Sequence, residues 1–287
     1  DINDLEKTIK YIQRYSNINL CIDTEGAQIR TIKLKGNNKF FKLNQILYLT
    51  DENHNVPKSL PIKPNVISKI RKGDILSIDF NSVKVKIIDV LKNKLKAIVT
   101  DDGYIGSNKG ISVNRHIQLP AFSKKDYQAF EIIKKFKIKN VALSFTSSAK
   151  DIQTLRKIFN YKIIVTSKIE SNKGLRNLQS ILAETDNILI DRGDLSREVA
   201  LEKIPYVQKI IIKESKKKKR PVFVATNLLE SMVTDKQPTR AEVNDVYNTI
   251  IDGATGLVLA AETAIGNYPL ECINMIKKVS KEAIKIK

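Results

Sequence analysis

The sequence has no tryptophan, two cysteines, two histidines and two methionines in 287 residues. Cys21 and Cys272 are too few for a disulfide framework or a Cys-rich zinc module, and they suit a reducing cytosol. His54 and His116 argue against a histidine metal cluster or a His-based triad. No run of eighteen apolar residues is present, so no transmembrane helix is expected. The first residues, DINDLEKTIK, are charged and lack an apolar core, so no signal peptide is read there. They also lack an initiator Met, which leaves room for residues upstream.

What is present is an ordinary globular balance, 42% apolar and 28% charged, enough for one large domain or a large and a small one. The net charge is +19. A basic chain can bind nucleic acid, but such sites lean on Arg, and here 40 Lys stand against 10 Arg. The Lys excess accompanies abundant Ile and Asn, whose codons are A/T-rich. It reads as genome composition acting on a solvated surface, with no nucleic acid or membrane as partner. KKKKR at 216–220 reads as a helix C-terminus, where cations complement the dipole, leading into a strand that Pro221 opens.

The pattern divides the chain in three. Residues 4–16 carry apolar residues at helical spacing, and NLCID at 19–23 reads as a short strand. Residues 31–116 alternate apolar and polar in short segments between Asn, Gly and Pro, the mark of a small antiparallel β unit. After Pro120, helical segments alternate with apolar strands: VALSF (141–145), KIIVTSK (162–168), NILIDR (187–192), PVFVAT (221–226) and GLVLAAE (256–262). Their spacing fits βα units of a parallel sheet buried on both faces. The expected domains are therefore a first barrel part at 1–30, an inserted β lid domain at 31–116 and a second barrel part at 117–287.

Each strand ends in a polar residue: Asp23, Ser144, Lys168 with Glu170, Asp191 and Asp194, Thr226, Glu262. One such residue alone reads as a cap for the next helix. Six strands in succession point instead to the mouth of a (β/α)₈ TIM-type barrel, where strand ends converge. In TSKIE, period two places Lys168 and Glu170 on one side if the strand runs that far. In DRGDLS, Gly193 allows close backbone approach and Asp194 supplies a carboxylate, with a following helix expected to offer N–H groups to an anion. Two carboxylates suit Mg²⁺, and a Lys beside it suits phosphoryl or enolate charge. A structural Lys–Glu salt bridge is the alternative for the pair.

Several motifs in order resemble the pyruvate kinase family. DTEGAQIRT (23–31) is similar to the family's DTKGPEIRT, and GSNKG (106–110) and Leu-Pro-Ala (119–121) close the inserted unit. SKIESNKGLRNL (167–178), RGDLSREVALEKI (192–204), ATNLLESM (225–232), PTRAEVNDVYNTIIDG (238–253) and AETAIGNYPLE (261–271) follow. The resemblance implies a magnesium- and potassium-dependent phosphotransferase of glycolysis, a cytoplasmic homo-oligomer that passes a phosphoryl group from phosphoenolpyruvate to ADP. It implies Lys168 and Thr226 as catalytic residues, and Glu170 and Asp194 as ligands of Mg²⁺ (or Mn²⁺). It implies Asp23 and Thr24 for K⁺, Gly193, Asp194 and Thr226 for the substrate, and Arg30 and Lys109 for nucleotide phosphates.

The sequence also departs from the family. The first two barrel strands and the C-terminal regulatory domain are not found, so the barrel reads as truncated at its N-terminus. Glu25 stands for a Lys, Gln28 for a Glu, Ser147 for an Arg and Asp191 for an Ala. Thr146 replaces an apolar residue, Ala260 and Ala261 replace Ser-Gly, and IDFN (78–81) replaces an Asp-Asp-Gly turn. The alternative function is a relative with altered or lost nucleotide chemistry: a Mg²⁺-dependent enolate enzyme or a non-catalytic scaffold.

Overall fold

The computed structural model describes residues 2–26, 28–32, 34, 38–51, 59–79, 82–115 and 117–285. His54 and His116, and the end of the IDFN segment, lie outside them. The chain forms two compact units, Asp1–Gly26 with Ala121–Lys287, and Ala27–Pro120.

The larger unit opens with α1 (Ile2–Tyr15) and β1 (Cys21–Asp23). The chain then builds the smaller unit from β2 (Ile29–Thr31), β3 (Asn38–Phe41), β4 (Ile46–Thr50), β5 (Ser59–Lys63), β6 (Ile75–Ile78), β7 (Val83–Leu91), β8 (Lys94–Asp101), β9 (Gly103–Gly106) and β10 (Gly110–Val113). It returns through α2 (Lys124–Lys135), β11 (Asn140–Leu143), α3 (Ala149–Ile158) and β12 (Ile164–Ile169). The helices α4 (Asn172–Arg176) and α5 (Leu178–Glu184) lead to β13 (Asn187–Asp191), α6 (Arg192–Leu195) and α7 (Ile204–Lys217). The chain ends with β14 (Val222–Ala225), α8 (Arg240–Asp252), β15 (Gly256–Val258), α9 (Ala261–Ala264) and α10 (Pro269–Ile284).

In the smaller unit, seven strands close a barrel in the order β10-β2-β5-β4-β8-β7-β6. Pairing is antiparallel except between β4 and β5, which run parallel, a departure from the purely antiparallel unit expected. Alternate residues of β7 and β8 point inward, so Val83, Val85, Ile87, Leu95, Ala97 and Val99 are fully buried. The unit begins at Ala27 rather than after residue 30, because β2 pairs with β10 and β5 of the small barrel. At its far end Ile117 and Leu119 pack on the barrel core, which moves that boundary from 116 to Pro120.

Arg115 holds this barrel's Asp74, donating Nε to Oδ1 and Nη2 to Oδ2, both at 2.8 Å. Burial opposes ionisation of Asp74, but Arg115 and the Arg71 N–H outweigh it and hold its carboxyl below the usual range. A depressed carboxylate stabilises the fold above its unfolded pKa and loses that contribution as pH falls through the folded value. Arg115→Ala is therefore expected to lower the unit's stability at neutral pH and to shrink the loss on acidification below about pH 4, measured as urea midpoints across that range.

In the larger unit, six strands pair in parallel in the order β1-β11-β12-β13-β14-β15. Among the described residues this sheet is open, with β1 and β15 outermost, and the one closed barrel is the small one. The inner strands are apolar because both faces are covered: Val141, Val165, Ile188, Ile190, Val222 and Val224 are fully buried. Burying each such side chain contributes about 1.5–3 kcal/mol. Helix ends are set locally: Ser123 and Asp126 form a capping box on α2, Thr239 and Glu242 one on α8. The KKKKR run closes α7, and Arg220 donates Nε to the Leu182 carbonyl. No helix among the described residues is long and apolar enough to cross a membrane.

Candidate active site

Strand register brings the polar residues together. Asp23 pairs with Ala142, and Lys168 with Leu189. Asp191 pairs with Ala225, which places Thr226 one step beyond. The parallel order therefore sets Asp23, Lys168, Glu170, Asp191 and Thr226 at the C-terminal ends of strands β1, β12, β13 and β14 of one sheet. β12 ends at Ile169, one residue before Glu170, yet the two side chains converge.

The Lys168 ammonium is the centre. It lies 3.0 Å from Asp23 Oδ2, 3.0 Å from Glu170 Oε1 and 3.3 Å from Asp191 Oδ2. Burial works against its charge, but Glu170, Asp23 and Asp191 outweigh that and hold its pKa above the ordinary lysine value. Glu170 is enclosed, 1% exposed. Its Oε2 accepts the Phe145 N–H at 2.5 Å, whereas Oε1 receives no hydrogen bond of ordinary geometry. Burial pushes its carboxyl up to about 8; Lys168 opposes the shift and Asp191 and Asp194 add to it.

Glu170, Asp191 and Asp194 each offer an oxygen, all within 4.8 Å of one another. A Mg²⁺ ion holding oxygens at ~2.1 Å spans ~4.2 Å between opposite ligands, so small side-chain shifts close this group on one cation. The donor set is all oxygen and hard, and Glu170 Oε1, which takes no backbone N–H and meets the Lys168 ammonium at 3.0 Å, is the kind of atom such an ion satisfies. The residues present fit a divalent cation.

Thr226 sits at φ +68°, in the left-handed region that β-branched residues rarely adopt, and Asn227 follows at +53°. Strain of about 1–3 kcal/mol persists only where the surroundings enforce it. Arg192 does so: its Nε and Nη2 donate to the Thr226 carbonyl at 3.1 and 2.7 Å, while Nη1 is anchored on Asp245 at 2.7 Å. The Thr226 hydroxyl accepts the Gly193 N–H at 2.8 Å and faces Asp191 Oδ1 at 3.3 Å.

Two expectations need correction, the helix after Asp194 and the place of Glu262. No helix follows Asp194-Leu195-Ser196 directly. The RGDL segment is itself one helical turn, α6, with Asp191 as its N-cap, so the expected row of free N–H groups does not form there. Glu262 lies four residues beyond β15, and its carboxylate accepts the Leu229 and Ala260 N–H groups as a backbone clasp. The Thr24 hydroxyl accepts the Ser144 N–H, and Ser144 donates its own hydroxyl to Asp23. In the smaller unit, Arg30 donates to the Asn108 carbonyl, and Lys109 pairs with Asp79 at 3.0 Å.

Sequence reasoning missed Asp126. It is 2% exposed, and besides capping α2 it accepts the Glu25 and Gly26 N–H groups, fixing the loop after Asp23. The Ser-x-x-Asp capping box was visible; the partners a hundred residues away were not. That loop needs Gly26: at φ +72° a Cβ would lie 2.9 Å from Ser144. Asp191 was visible as a strand-end carboxylate and, against the resembled pattern, as an extra carboxylate near the metal, without a place among the ligands. The Phe145 N–H left no signal in the sequence.

A family model described as pyruvate kinase, barrel domain, matches residues 1–273. The chain is 35% identical over 300 residues to a pyruvate kinase of Thermotoga maritima, covering 99% of this chain and 64% of that one. It is 32% identical to the pyruvate kinases of Thermococcus litoralis and Clostridium acetobutylicum, covering 90% and 92% of this chain and 56% and 58% of theirs. The chain thus spans about three-fifths of the length of these curated relatives. With a family model running through almost all of it, over the strand ends that carry Lys168, Glu170, Asp194 and Thr226, the chain belongs to the pyruvate kinase family.

Proposed function

We propose that this chain is the catalytic part of a pyruvate kinase, transferring the phosphoryl group of phosphoenolpyruvate to ADP to give ATP and pyruvate. The observation that supports it best is the buried Lys168 ammonium among carboxylates, with the strained Thr226 beside it. In this reading the six parallel strands belong to a (β/α)₈ barrel, and residues 27–120 are its inserted lid. The protein works in the cytosol as a homo-oligomer.

Glu170 and Asp194 hold Mg²⁺ or Mn²⁺, which when bound neutralises charge on phosphate and enolate oxygens. Lys168 carries the complementary positive charge to the phosphoryl group in flight, where fixed charge is worth most. Thr226 Oγ1 relays a proton to the enolate carbon, passing on its own and taking one back from solvent. Gly193 releases its bond to Thr226 Oγ1 and turns its N–H to the substrate carboxylate. Asp23 and Thr24 hold K⁺, and Arg30 and Lys109 receive nucleotide phosphates.

The test is ATP formation from phosphoenolpyruvate and ADP with Mg²⁺ and K⁺, run beside isotope exchange at the pyruvate methyl group. ATP at about 1–10³ s⁻¹ is the expected result, and silence in both assays overturns the reading. Exchange without ATP favours the second reading, enolate chemistry with an altered nucleotide side. The local pairing of Lys109 with Asp79 and of Arg30 with the Asn108 carbonyl favours it, and exchange is expected to be the more robust activity.

A further inference from the structure

Resting on the reading of Glu170 and Asp194 as cation ligands, we infer that Asp191 is a third carboxylate arm of that site. Its charge lets the chain hold a divalent ion before any substrate arrives.

Charge balance is the first argument. Asp23, Glu170 and Asp191 face Lys168, and Asp194 pairs with Arg197 at 3.0 Å. Once Glu170 gives up its proton, as an ion requires, four carboxylates against Lys168 and Arg197 leave an excess of two negative charges among these residues, the charge of one divalent ion. With a neutral residue at 191 the excess is one, and an ion would depend more on the anionic substrate to complete its shell. Arg192, the nearest further cation in sequence, is already spent on Asp245.

The second argument is how loosely Asp191 is held. Its contact with Lys168, 3.3 Å, is the longest of the three. Its Oδ1 takes the Thr226 hydroxyl at 3.3 Å and the Asp194 N–H at 3.4 Å, both weak. Glu170, by contrast, is anchored through Oε2 on the Phe145 N–H at 2.5 Å and through Oε1 on Lys168 at 3.0 Å. Asp191 is 9% exposed, so little water competes for it. Turning this carboxylate to an ion sacrifices two long hydrogen bonds and gains a metal–oxygen bond in a dry setting.

The measurement is Mn²⁺ titration of the substrate-free full chain, read from the paramagnetic resonance of free Mn²⁺ and by calorimetry. One saturable site is expected in the wild type. Asp191→Asn, which keeps shape while removing charge, is expected to weaken it at least tenfold. Asp191→Ala should show the same loss, covering the case in which the amide disturbs packing. Glu170→Gln should remove saturable binding. If Glu170→Gln binds as wild type, the cation lies elsewhere and the metal reading itself falls. If Glu170→Gln loses binding while both Asp191 variants bind as wild type, Asp191 serves only Lys168, and this inference is overturned with the reading intact. A wild type that binds Mn²⁺ only with substrate present also overturns it.

Discussion

Lys168→Met is expected to lower phosphoryl transfer by about a thousandfold, the loss typical of one fixed charge aimed at a transition state. The substitution keeps the stem that packs in the strand end and deletes only the ammonium. Lysine has no lone pair to give a metal, so ligand counting alone predicts unchanged ion binding. The geometry changes that expectation. The ammonium lies within 3.0–3.3 Å of Asp23, Glu170 and Asp191, doing the work a cation would do. Without it the carboxylates face one another uncompensated. The metal-free variant is expected to lose about 3–5 kcal/mol, as when one partner of a buried ion pair is removed. Mn²⁺ should bind more tightly than to the wild type and restore much of the stability. Activity, Mn²⁺ titration and urea unfolding in chelator or metal check the three parts; weaker Mn²⁺ binding in a folded variant would refute the competition.

The second large effect is in Glu170 and runs with pH. Burial, with Asp191 and Asp194, raises its carboxyl from 4.5 to about 8 against the pull of Lys168. The native state then binds a proton that the unfolded chain has released, so stability falls as pH rises between those values. The carboxylates held below their usual range, Glu6, Asp74, Glu214 and Glu242, finish titrating at lower pH and stay out of this window. The metal-free protein is therefore expected to be less stable near pH 8 than near pH 5, and Glu170→Gln to flatten the slope. Mg²⁺ requires the deprotonated form, so its stabilisation should grow over the same range. Urea midpoints at several pH values with and without Mg²⁺ test both signs; a slope that survives Glu170→Gln would assign it to another group.

The alternation of wholly apolar strands with helices, and the period-two segments of residues 31–116, were readable because each is a property of near neighbours. A strand covered on both faces must be apolar throughout, and a barrel wall must alternate. Lys168, Glu170, Asp194 and Thr226 were readable for the same reason: each lies within three residues of the end of a legible strand. What neighbours could not encode was who meets whom. Glu262 looked like the others and became a clasp on the Leu229 and Ala260 amides. Gly193 looked open to a ligand, and its N–H went to Thr226.

By itself the sequence determined the kinds of element, their order and the chemistry offered at the strand ends. Tertiary structure alone decided that Asp191 joins Glu170 and Asp194 within 4.8 Å, that Asp126 ties down the loop after Asp23, and that Lys168 reaches a carboxylate 145 residues away. The physical reason is range. Periodicity and capping are settled over a few residues. Convergence at the mouth depends on the parallel register of strands far apart in the chain, which only the packed sheet sets.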